Sequence, residues 1–284
     1  MILQKEIINH AEREFVDKSV IDKDWVLGHV LHSIFEHRHL KNKLVFKGGT
    51  CLKKCYFPGY RFSEDLDFTL LDQAFVINNV LIDEVLSLAH KNSGISFFIE
   101  KLNETRSVDV KQGFEVIVKY WGADHKPNQT VLPTDRWVTS IKLDISFTEE
   151  VIFPINYCNL IHPYSDKEVI GEQKIACYKI EEMFSEKLRS ILQRNRPRDF
   201  YDLSFLKNNA EYDIELVKTG FKRKSECKNI DYTLLSNLLD DNKIRLINRH
   251  WDASLKHQIS ENNFPNPELL LKELSVFFKT LINN

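Results

Sequence analysis

The run Trp137 to Phe147, WVTSIKLDISF, alternates cleanly from Ser140 onward. Ile141, Leu143, Ile145 and Phe147 point one way, and Lys142, Asp144 and Ser146 the other. Successive side chains of a strand face opposite sides of a sheet. This run is therefore a strand with one face in a core and a polar face turned away from it. The shorter run DLDFTL, residues 65–70, alternates in the same way and reads as a second such strand. LVF at 44–46 is a short strand stopped by Gly48-Gly49, and residues 95–102 and 114–121 are strand-like.

Helical periodicity covers the rest. Residues 2–19 and 23–39 read as helices, with Asp22 and Asp24 where an N-cap is wanted. Residues 50–56 form a helical turn broken at Pro58-Gly59, and residues 73–92 read as another helix. From about residue 170 the pattern is helical only. A long amphipathic helix is expected over 173–194, then helices near 199–209, 213–224, 231–240, 242–257 and 267–282. This implies an α+β chain: a mixed sheet flanked by helices over residues 1–170, and a helical C-terminal domain over 171–284.

The chain has 284 residues and a formal net charge of −2, so no global basic signature for nucleic acid is present, and any such footprint is local. Five cysteines without a CxxC pair, and no His cluster, supply no zinc set; they read as reduced core thiols of a cytoplasmic protein. The N-terminus lacks an apolar signal region, and no apolar run is long enough to span a membrane.

The residues able to carry chemistry gather in the first half. Asp65 and Asp67 stand two apart on a strand and share a face, opposite Leu66 and Phe68. Two adjacent carboxylates repel unless a cation lies between them. Asp144 is on the polar face of the other strand; if the two strands are neighbours, three carboxylates converge. Such an oxygen set suits Mg²⁺ or Mn²⁺ with substrate phosphates. Gly48-Gly49-Thr50 follows a strand and opens a helical turn, where backbone N–H groups can approach a phosphate. Ser63 could hydrogen-bond it.

In the second half, Lys187 borders an apolar stripe and either snorkels to water or neutralises a triphosphate. Arg189, Arg194, Arg196 and Arg198 make a local basic patch. Lys218, Lys222, Arg223, Lys224 and Lys228 make another; solvation accounts for most such clusters, and this one is the best local candidate for contact with an RNA backbone.

The three motifs FKGGTCLKKCY, RFSEDLDFTL and KIEEMFSEKLRSILQRNRPRDFYDL, in that order, resemble the AbiEii/AbiGii-type toxins over roughly residues 20–210. These are nucleotidyltransferase-like proteins of the DNA polymerase β superfamily, the toxin halves of toxin–antitoxin and abortive-infection systems. The resemblance implies a minimal nucleotidyltransferase core with a helical C-terminal region, an NTP substrate and a divalent metal. It implies metal binding by Asp65 and Asp67, with Asp144 matching a third carboxylate by strand position. It also implies a functional lysine at Lys187 and a functional acid at Asp199 or Asp202, beside Arg198. A tRNA or other RNA acceptor and a cognate antitoxin are the partners expected. The alternatives are a non-catalytic RNA- or partner-binding protein on the same scaffold, or a small-molecule nucleotidyltransferase.

Overall fold

A computed structural model describes residues 1–107, 110–126, 129–260 and 263–283. The chain divides into two compact units. One joins Met1–Glu149 to Ile155–Cys177, and the other joins Glu150–Pro154 to Tyr178–Asn284.

The first unit is built on a seven-stranded mixed sheet of order β3-β4-β5-β2-β1-β7-β6. Its strands are β1 (Leu44–Lys47), β2 (Asp65–Leu70), β3 (Ser96–Ser107), β4 (Val110–Trp121), β5 (Ser140–Ser146), β6 (Asn156–Asn159) and β7 (Lys174–Cys177). The alternation is borne out at 65–70 and over 140–146, and residues 137–139 and 147 lie outside β5. Ile141, Leu143 and Ile145 of β5 are buried beside Leu66 and Phe68 of β2. The rings of Phe46, Phe68 and Phe35 continue that core from β1 and β2 onto α2.

Helices α1 (Gln4–Glu14), α2 (Lys18–Glu36) and α4 (Asn79–Ser93) belong to this unit, with the short α3 (Gly48–Cys51) and α5 (Lys167–Ile170). Asp22 and Asp24 are not caps. Asp17 caps α2, accepting from the Ser19 N–H at 2.8 Å, and α2 carries both later acids in its buried interior. Residue type alone does not separate three aspartates so close together. Asp22 accepts from the N–H groups of Ala123 and Asp124 at 2.7 and 3.2 Å. Asp24 pairs with Lys54 at 2.6 Å and accepts from the Tyr164 hydroxyl at 2.8 Å. Further along, Asp166 accepts from Trp25 Nε1 and from Nε2 of His29 and His162, tying the segment before α5 to α2.

Residues 174–177, expected to open a long helix, instead form β7. It lies parallel to β1, with Phe46 opposite Cys177, and antiparallel to β6. Four residues of KIAC satisfy either period, so pattern alone could not decide.

The second unit is helical: α6 (Ile180–Gln193), α7 (Pro197–Asn209), α8 (Ile214–Glu226), α9 (Asp241–Leu255) and α10 (Pro267–Asn283). Residues 232–237 are a 3₁₀ segment where an α-helix was expected. α8 presses closely on α6: a Cβ on Gly220 would stand 2.5 Å from Ser185 Oγ and 2.8 Å from the Phe153 ring. Ser185 Oγ donates to the Val217 carbonyl across the same contact. Glu182, nearly inaccessible, accepts from the Ile152 and Phe153 N–H groups and pairs with Lys224 at 2.8 Å.

Candidate active site

β2 and β5 are direct neighbours and run parallel, so the condition for convergence of the acids is met. Asp65 lies opposite Lys142, and Asp67 opposite Asp144. These four side chains are half-buried and share the face opposite the core. Glu115 of β4 stands opposite Asp144 on the next strand out. Lys47 of β1 stands opposite Asp67 on the other side. One stretch of sheet thus carries the row Lys47, Asp67, Asp144 and Glu115, with Asp65 and Lys142 paired two residues along.

Lys142 holds the row together in the structure. Its Nζ is 2.6 Å from Asp144 Oδ2. Partial burial works against its charge, but the hydrogen bond to Asp144 and the fields of Asp144, Asp65 and Asp67 raise its pKa above the ordinary lysine value. An ammonium paired with Asp144 and in the field of Asp65 and Asp67 shows that the row stabilises positive charge. Sequence reasoning puts Lys142 on the polar face without giving it a role. Only the register puts it beside Asp65.

The glycine turn is built against the same acids. Gly48 has φ +78°, a left-handed conformation that favours glycine. Its missing side chain also leaves the room that Asp67 occupies: a Cβ there would stand 2.2 Å from Asp67 Oδ2. At Gly49 a Cβ would meet the Arg61 guanidinium at 3.0 Å and Ser63 Oγ at 3.1 Å. Thr50 Oγ1 donates to the Asp65 carbonyl at 2.5 Å and fixes the start of β2 to α3. Gly48, Gly49, Thr50 and Ser63 are therefore brought to the acids. Arg61, a buried cation, was not foreseen; its guanidinium donates to the Phe62 carbonyl.

Oxygen ligands from two adjacent strands suit a hard divalent cation. Among the described residues, the sets of three whose ligand atoms already lie within 4.8 Å of one another are elsewhere. The acids of β2 and β5 meet as neighbours in register, with Lys142 paired to one of them.

In the second unit Lys187 sits between two buried acids, 3.0 Å from Asp199 Oδ1 and 2.7 Å from Asp202 Oδ2. Arg194 grips Asp199 with Nε and Nη2 at 2.7 and 3.1 Å. Burial would raise the Asp199 pKa, but Lys187 and Arg194 hold it below the usual carboxylate value. Arg198 opens α7, one residue before Asp199.

The basic clusters are thinner than their composition suggests. Lys224 is buried on Glu182 and Glu186. Arg223 is paired with Glu150, and Lys218 with Glu215. Lys222 and Arg223 are the exposed pair on α8.

The sequence profile of the family described as Nucleotidyl transferase AbiEii toxin, Type IV TA system, matches residues 29–271. Among solved structures, the chain is similar to MenT4, a nucleotidyltransferase toxin from Mycobacterium tuberculosis H37Rv. The identity is 18% and the TM-score 0.60, over 100% of this chain and 90% of that one. It is also similar to JHP933 from Helicobacter pylori, with 22% identity and a TM-score of 0.56 over 94% of each chain. At such identities the likeness is one of fold. Comparison with curated protein sequences gives no match.

Proposed function

The chain belongs to the AbiEii family of nucleotidyl transferase toxins of type IV toxin–antitoxin systems, and from that premise we propose that it transfers a nucleoside monophosphate from an NTP to a hydroxyl of RNA, most simply tRNA. The observation that carries the reading is the row Asp65, Asp67 and Asp144, set beside a turn whose left-handed φ and close approach to Asp67 favour glycine.

In the proposed reaction the acceptor hydroxyl gives up its proton to solvent as its oxygen forms a bond to the α-phosphorus. The bond from that phosphorus to the β-phosphate oxygen breaks, and pyrophosphate leaves. Asp65, Asp67 and Asp144 would hold Mg²⁺ or Mn²⁺, which when bound would supply Lewis acidity to the phosphates and to the attacking hydroxyl. The turn at Gly48 and Gly49, followed by Thr50, presents backbone N–H groups to phosphate oxygens, and Ser63 donates to the same group. Lys142 neutralises Asp144 before the cation and nucleotide arrive, which limits like-charge repulsion along the row.

In the second unit, Lys187, Asp199 and Asp202 form a buried ion-paired set that holds α6 to α7. A role for Lys187 and Arg198 toward the triphosphate, implied by family resemblance, is part of the proposal. So are a cognate antitoxin and a cytoplasmic setting, where NTPs and tRNA are found. No helix is long and apolar enough to cross a membrane.

The test is incubation of the purified protein with each labelled NTP, Mg²⁺ or Mn²⁺, and total tRNA. Label should enter RNA and should stay out of it with the Asp67→Asn protein. Label entering a small molecule would replace the acceptor, and label entering nothing under any condition would refute the transferase reading.

A further inference from the structure

Four of the five cysteines meet, although they come from three separated segments. Cys51 is the last residue of α3, and Cys55 lies one turn on in the wide helical turn Leu52–Tyr56. Cys177 ends β7, and Cys158 lies on β6. In the β6–β7 register Asn156 is opposite Cys177, so Cys158, two residues on, shares its face of the sheet. The sulfurs of Cys51, Cys55 and Cys177 all lie within 4.8 Å of one another. The Cys158 thiol is within hydrogen-bonding reach of Cys177.

The polar groups around the cluster are arranged to donate to sulfur. Asn156 Nδ2 donates to Tyr56 Oη at 2.9 Å and to Cys158 Sγ at 3.4 Å. Tyr56 Oη and Cys177 Sγ share a hydrogen bond at 3.6 Å in which either atom can donate, and a thiolate at Cys177 would take the phenol proton as its donor. A neutral thiol accepts hydrogen bonds weakly, whereas a thiolate accepts them well. Around metal-bound cysteines such donors orient the ligands and disperse their charge. A tetrahedral set of sulfurs about 2.3 Å from a zinc ion has its sulfurs roughly 3.8 Å apart. Three of these thiols, within 4.8 Å of one another, are therefore within about 1 Å of that spacing.

We propose that Cys51, Cys55 and Cys177, with Cys158 completing the set, bind a thiophilic cation of the Zn²⁺ class, separate from the carboxylate row. Each thiol that becomes a ligand releases one proton to solvent as its S–metal bond forms, and no electrons are exchanged. The site is structural, because sulfur ligands fill it and three of the four are buried. Occupied, it would pin α3 to β6 and β7 and so brace the turn from which Gly48 and Gly49 project.

The test titrates the full-length, reduced, metal-stripped protein with Co²⁺ and then displaces it with Zn²⁺ against a chromophoric chelator. One equivalent of Co²⁺ should give intense tetrahedral visible bands with sulfur-to-cobalt charge transfer, and Zn²⁺ should bleach them. Cys177→Ala should abolish the bands and weaken Zn²⁺ binding by at least ~100-fold. Cys227→Ser and Asp67→Asn should keep them, since neither residue is in the cluster. Absence of sulfur bands in the wild-type protein would overturn the proposal whether or not any variant folds. So would bands that survive Cys177→Ala, or cobalt uptake abolished by Asp67→Asn.

Discussion

Asp67 is constrained from three sides: by Asp144 in register on β5, by Lys47 in register on β1, and by the space that Gly48 leaves. Asp65→Asn or Asp67→Asn should lower nucleotide transfer by at least ~100-fold, at least the loss seen when groups supporting a metal ligand are removed. Urea midpoints should stay the same or rise, because a like-charge repulsion is removed from a face opposite the core. Near-normal transfer by either variant would take the acids out of the mechanism. Gly48→Ala is a different lesion. It places a β-carbon on the Asp67 carboxylate at a left-handed φ, so it should cost about 1–3 kcal/mol of stability together with activity. Lys142→Met should tighten Mn²⁺ binding in calorimetry, since the ammonium is a rival cation for Asp144. Weaker Mn²⁺ binding would mean that Lys142 orders the acids rather than competing for them.

At the scale of elements, the sequence was most legible where a single period ran long. The strands β2 and β5 and the two acids of β2 follow from alternation alone, and α7 to α10 from helical periodicity. Two things were hidden. The first was strand order: nothing in WVTSIKLDISF says that β2 lies beside it, and only that pairing makes Lys142 and Asp144 part of the site. The second was assembly from distant segments. Cysteines that looked like scattered core thiols converge because β7 returns to lie along β1. The basic clusters erred the other way, since a lysine such as Lys224 reads as solvated until its buried partners Glu182 and Glu186 are known. Reversing Lys222 and Arg223 to Glu, leaving Lys224 intact, should weaken RNA binding and lower its log–log salt slope by roughly 0.7–0.9 for each phosphate no longer neutralised. A slope equal to wild type would place the RNA elsewhere. In the same unit, Lys187→Ala leaves Asp199 and Asp202 without the ammonium between them and should destabilise that unit by about 3–5 kcal/mol. Calorimetry with an NTP is then decisive for Lys187 only at a temperature where circular dichroism shows the variant folded. Unchanged affinity there would confine this lysine to its structural ion pairs.

On the scale of the whole molecule, two buried groups oppose one another in acid. Burial pushes the His162 imidazole down to about 4, despite its hydrogen bond to Asp166. Between about 4 and its ordinary 6.5 the unfolded chain therefore takes up a proton that the folded one does not, and stability falls as pH falls. Burial also raises Asp22 to about 6, so between 3.8 and 6 the folded chain holds the extra proton and acidification stabilises it. Asp22→Asn keeps an acceptor for the Ala123 N–H and removes this compensation. Urea unfolding at pH 6.5 and 4.5 should show the variant losing more stability on acidification than the wild type; an equal loss would mean that Asp22 is already ionised in the folded chain. The pairing of β2 with β5 has a consequence in time as well as in space. Asp67 and Asp144 are 77 residues apart in the chain, and β1 waits for Cys177 before its second edge is covered. Such long-range pairings form late, after the local helices and hairpins. A ribosome that has made only the first 130 residues has already released the glycine turn and two of the acids, yet the strand that completes the row does not exist. The proposed site is thus incomplete in the nascent chain until β5 has been made.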